Sequence, residues 1–228
     1  VAVGIFDISF GNKNLPPSIG ILMIDNIGSE DDEFWARGIT EDLIVKVAGA
    51  GLIRVASMKE VLEIDMKQSF EEIANTLRVK YLLTSSLHKR SGGFDLRSQL
   101  IEVESGNSKY ANKWSEKLDN APKIIGKLAS DLLKTLKVST NQNIMKVQTA
   151  NFDAYEYYLR GKYKFDKSKN LEDISIAKGL LEEAIKLDKN LIIAQNKLGN
   201  VLLSSGDSYG AMEVYFEALR QSEVLEDK

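Results

Sequence analysis

The stretch EFWARGITEDLIVKVAGAGLIRVAS, Glu33 to Ser57, decides how the first part of this chain folds. Trp35, Ile39, Leu43 and Val47 recur every fourth residue, and Phe34 and Ile44 widen the stripe, as one face of an α-helix requires. The acids Glu30, Asp31, Asp32 and Glu33 stand where the positive end of a helix dipole favours them. Gly38 interrupts the helix at a cost of about 1 kcal/mol against alanine, which implies a packing reason. Gly49-Ala50-Gly51 ends the helix, and residues 52–57 predict a short strand. Residues 18–27 form a β-rich apolar run suited to a strand buried on both faces. Strand, helix and strand in succession predict a right-handed βαβ unit.

The next segment changes period. Ser69-x-x-Glu72 is a capping box that opens a helix with Phe70, Ile73 and Leu77 on one face. Residues 79–89 and 94–103 alternate as strands around the SGG turn at 91–93, and a third strand follows the ESGN turn at 104–107. These predict an antiparallel meander. Asp119 or Asn120 then caps a helix through Leu136, with Pro122 in its first turn and Ile124, Ile125, Leu128 and Leu132 facing inward. Residues 139–143 carry no periodicity, which places a boundary near 140–150.

The remaining residues repeat. Ala177/Ala211, Leu181/Tyr215 and Ala184/Ala218 each lie 34 residues apart, as do Glu183/Glu217 and Lys186/Arg220. A 34-residue period with small residues at fixed positions of a second helix is a tetratricopeptide signal. The first helices are expected over 153–165 and 191–205, with Leu159, Gly161 and Tyr163 matching Leu198, Gly199 and Leu202. Two units alone bury too little core, so the pair is expected to dock on the α/β part, to continue, or to pack on another chain.

Composition narrows the chemistry. The chain has 228 residues, 43% hydrophobic and 28% charged, with net charge −3 and no cysteine. That is globular composition. It excludes a disulfide framework, thiolate metal sites and a cysteine nucleophile. Lysines and arginines alternate with acids, so no basic stripe points to nucleic acid or an anionic membrane. No apolar run approaches the roughly 20 residues of a membrane helix.

Several residues in this order resemble a known module. Phe34/Trp35, Ala36, Gly38-Ile39-Thr40-Glu41-Asp42-Leu43, then Gly51-Leu52 and Val55, are similar to the N-terminal-domain-like module of TolB. Val79, Tyr81, Ser86, Gln99-Leu100-Ile101, Gly106 and Trp114 continue the likeness, and AYEYYLRGKY leads into the repeats. The module's usual LPF element is replaced here by Leu22-Met23-Ile24-Asp25-Asn26, and the usual Asp-Pro after a repeat helix reads Asp188-Lys189-Asn190. The resemblance implies a regulatory or scaffolding segment of a bacterial signalling protein. In that family such segments follow an adenylate/guanylate cyclase, a protein kinase or a winged-helix domain, so an upstream catalytic domain in the same chain is expected.

The candidate sites compete with packing roles. Glu41 and Asp42 project about 100° apart on a helix, so the pair reads as an exposed acidic edge rather than a catalytic dyad. His88 is the single histidine, and it alternates with Leu82, Thr84 and Ser86 on one strand face. With Arg97 and Gln99 on the next strand it defines a polar sheet face that suits a small ligand or a partner. Asn196 and Asn200, one turn apart, are candidates for a peptide groove on the repeat helices. Tyr155, Tyr157, Tyr158, Tyr163 and Phe165 read as repeat-helix core with a solvated rim.

The sequence therefore predicts residues 1–17 as a linker or the tail of an upstream domain. It predicts an α/β domain with a mixed sheet at 18–145 and an all-α tetratricopeptide pair at 150–228. The expected function is non-catalytic regulation through a protein or peptide partner, or through a second copy in a homo-oligomer. No cofactor, metal, nucleic acid or membrane partner is expected. One alternative is small-molecule sensing on the sheet face or at the domain junction, and another is a hydrolase or transferase centred on His88. The expected location is the cytoplasm, with the periplasm as the alternative.

Overall fold

The computed structural model describes residues 16–139, 144 and 149–226. Residues 1–15 of the expected linker or upstream tail and most of the expected boundary segment lie outside the described residues. An α/β part leads into a helical part. The first contains β1 (Ser18–Ile21), β2 (Asp25–Asn26), α1 (Glu33–Ala48), β3 (Arg54–Val55), α2 (Met58–Leu62), α3 (Phe70–Leu77), β4 (Tyr81–Arg90), β5 (Gly93–Glu102), β6 (Asn107–Lys117) and α4 (Ala121–Thr135). The second contains α5 (Phe152–Asp166), α6 (Leu171–Leu187), α7 (Ile192–Ser204) and α8 (Ser208–Glu226).

The sheet order is β3-β1-β4-β5-β6, with β2 also on β4. β1 runs parallel to β3 and β4, and the β4-β5-β6 meander is antiparallel. The run expected as one strand over residues 18–27 is broken in two. At the break the Ile24 amide donates to the Thr40 hydroxyl of α1 at 3.1 Å instead of joining the ladder. Thr40 in turn donates to the Ala36 carbonyl at 2.8 Å. The strand expected at 52–57 shrinks to Arg54–Val55.

Strand alternation sends Ile19, Ile21, Leu83, Leu87, Leu96 and Leu100 to one face, where α1 and α4 cover them. The opposite face is covered only in part. There Leu77 of α3 lies against Gly20 and Leu82, so close that a Cβ on Gly20 would come within 2.9 Å of the leucine methyl. α3 opens with the expected capping box: the Glu72 amide donates to Ser69 Oγ at 3.3 Å, and the Ser69 amide donates to Glu72 Oε2 at 2.8 Å. Ile73 and Leu77 are buried, but Phe70 is 44% exposed and stands at the edge of the uncovered face. Asn120 precedes α4 without capping it and instead donates to Glu116 at 2.9 Å.

The four C-terminal helices pack as two hairpins, α5 with α6 and α7 with α8, and α6 also meets α7. Each hairpin closes where a glycine of the first helix receives a large side chain of the second. A Cβ on Gly161 would lie 2.8 Å from Leu181 Cγ, and one on Gly199 would lie 2.4 Å from the Tyr215 ring. The helical part is joined to the α/β part through α5, which lies on α1.

Candidate functional site

Titratable groups gather where α1 meets α5. The Tyr155 hydroxyl donates to Asp42 Oδ2 at 2.6 Å. Lys162 Nζ stands 3.1 Å from Glu41 Oε2 and 3.5 Å from Asp42 Oδ1. The Lys162 side chain is 6% exposed and that of Asp42 is 14% exposed. Burial raises the Asp42 carboxyl above its ordinary value, while the Lys162 charge and the Tyr155 hydrogen bond pull it back. Burial also pushes the Tyr155 hydroxyl well up, and the Asp42 charge adds to that. Lys46, one turn along α1, is lowered by burial and raised in part by Asp42.

This overturns the reading of Glu41 and Asp42 as an exposed acidic edge. The pair is the α1 half of a charge cluster between the two parts of the molecule. The other half comes from residues 113 and 120 positions downstream, so no local pattern marks it. Gly38 does have a packing reason, and it is a helix. A Cβ there would stand 2.5 Å from Leu159 Cδ2 of α5. Phe152 stacks on Trp35 with ring centroids 5.7 Å apart, and Tyr155 meets Trp35 edge-on at 6.0 Å. Tyr155 and Tyr158 thus serve the junction, while Tyr157 is 37% exposed.

Arg97 and Gln99 lie on the sheet face opposite α1 and α4, and His88 is on that face further along β4. Register places Ser86 opposite Arg97 and Thr84 opposite Gln99, and all four line one groove of about 820 Å³. His88 pairs with Asp95, one step further along the strands, and does not line the groove. Among the described residues no three His, Cys, Asp or Glu side chains gather as metal ligands. Nor is any helix among them long and apolar enough to cross a membrane.

Asn196 is exposed on α7. Asn200 is turned toward α8, where its side-chain oxygen accepts from the Tyr215 hydroxyl at 2.6 Å. Both asparagines are exposed one turn apart on α7, and the Tyr215 hydroxyl already occupies the Asn200 oxygen. The outer face of α8 is apolar instead, with Met212, Phe216 and Leu219 each more than half exposed.

No family model matches the chain, and no curated protein matches it. Solved structures do resemble part of it. TolB from Acinetobacter baumannii is 12% identical with a TM-score of 0.43, over 56% of this chain and 30% of that one. The LpoB C-terminal domain from Salmonella enterica is 17% identical with a TM-score of 0.34, over 47% and 87%. Lipoprotein GNA1162 from Neisseria meningitidis is 12% identical with a TM-score of 0.39, over 55% and 100%. The chain thus spans less than a third of the TolB structure's length. At these values neither membership of a family nor a function follows from the likeness.

Proposed function

We propose that this chain is a non-catalytic regulatory segment that works by binding another protein, and that its two hairpins are tetratricopeptide units. One observation carries the reading. The groups best placed for acid–base chemistry, Glu41, Asp42, Tyr155 and Lys162, are bonded to one another inside the α1–α5 junction. They hold two parts of the molecule together, and none of the four lines the grooves found among the described residues. A helical array needs a neighbour at each end. Here α1 packs on α5, the first helix of the first hairpin. The apolar outer face of α8 is left for a partner.

The expected signalling context, with a nucleotide cyclase or kinase upstream, belongs to this proposal, as does the cytoplasmic location. The test uses the parent protein. Phe216→Ser with Met212→Ser is expected to change its regulated output or its complex formation, with the circular dichroism of the chain unchanged. Turnover by the isolated chain that is abolished by Asp42→Asn would overturn the proposal.

A further inference from the structure

We propose that the uncovered part of the sheet face is a binding site for a small anionic ligand with an apolar body. Asp25, Ser86, Arg97 and Lys113 sit side by side on β2, β4, β5 and β6, in one row across the groove. Thr84, Gln99 and Ala111 form the next row toward α3. Beyond that row stand Phe70 and Met66, 44% and 52% exposed and both lining the groove.

Charge is unbalanced along the first row. The Arg97 guanidinium has five N–H donors. Among the described residues it has no ion pair and no side-chain hydrogen bond. Lys113 is directly opposite it. Lys113 feels the charge of Asp95, one row on, but that carboxylate already holds Arg90 at 2.9 Å. Asp25 lies at the far end of the row, two strands from Arg97, or roughly 10 Å at ordinary strand spacing. It would repel an anion at its own end and so direct one toward Arg97 and Lys113.

The two rows thus set an orientation. An acid group lies between Arg97 and Lys113, with the Ser86 hydroxyl as a further donor. The apolar body crosses Thr84, Gln99 and Ala111 and rests on Phe70 and Met66. A groove of about 820 Å³ matches the size of a small-molecule site. The site is on the face opposite α1 and α4, away from the α8 surface of the preceding proposal, and stands independently of it.

The probe is 8-anilinonaphthalene-1-sulfonate, an anion with an aromatic body, titrated into the whole chain with amide shifts recorded in parallel. Saturable binding is expected, with shifts at Ser86, Arg97, Gln99 and Lys113. Arg97→Gln and Lys113→Gln are each expected to weaken it about tenfold. Phe216→Ser, which alters the other apolar surface, is expected to leave it unchanged. The neutral analogue N-phenyl-1-naphthylamine should bind at least tenfold more weakly. The proposal is overturned by no saturable binding, by equal binding in the Arg97→Gln/Lys113→Gln double variant, or by shifts confined to α8. All these residues are exposed, so circular dichroism should confirm folded variants.

Discussion

Lys162 sits between two carboxylates of another helix with almost no access to water. Removing one partner of such a buried arrangement leaves the other charges without compensation. Lys162→Met is therefore expected to lower stability by about 3 kcal/mol at neutral pH, read from urea midpoints. The pH dependence has a definite sign. Burial raises Asp42 above its ordinary 3.8. A carboxyl that holds its proton more tightly in the folded state favours folding at low pH, and the contribution is lost as pH rises through the folded value. Lys162 is the strongest opposing influence on that carboxyl. Without it the rise is larger, so the variant should recover part of its loss near pH 5, and wild type should recover less. Little of this was legible beforehand. A carboxylate pair on a helix looks solvated until the lysine that meets it arrives from a distant segment. The usable signal was Gly38, whose cost demanded a close neighbour on the same side.

At the scale of elements, glycines separate helix faces that touch a neighbour from faces that do not. Gly38→Ala adds a methyl against Leu159, itself 1% exposed. The gain in helix propensity of about 1 kcal/mol is expected to be outweighed by overpacking of about 1–3 kcal/mol. Leu159→Ala in the same chain should relieve part of that cost, which a double-mutant cycle measures. Gly179 is the contrast: it lies in α6 with nothing within 4 Å of a Cβ. Gly179→Ala should therefore stabilise by about 1 kcal/mol in thermal melts. The helices, the meander and the glycine turns were readable, because hydrophobic period and turn chemistry are local. The break between β1 and β2 was not, since it depends on a threonine of α1 taking the Ile24 amide. Phe70 kept its helix but not its burial, because α3 covers only one end of the sheet face.

Over the whole molecule, α1 is the shared wall. It buries Ile39, Leu43 and Val47 among the α/β core and offers Trp35, Gly38 and Asp42 to α5. A helix with two covered sides shows apolar residues around most of its circumference. Phe34 and Ile44 beside the main stripe were the trace of this in the sequence. The two parts are expected to unfold in one transition by calorimetry. Trp35→Ala removes the ring that Phe152 and Tyr155 pack on, at a cost of about 3–5 kcal/mol, and should split the transition in two. The 34-residue spacing made the hairpins readable, while their seat on α1 needed coordinates.

That seat has a practical corollary. The chain carries two tryptophans. One of them, Trp35, has its indole N–H buried without an acceptor between the two parts. Its intrinsic emission should lie toward the blue and move red if the helices lift away, so attachment and detachment can be followed without any label.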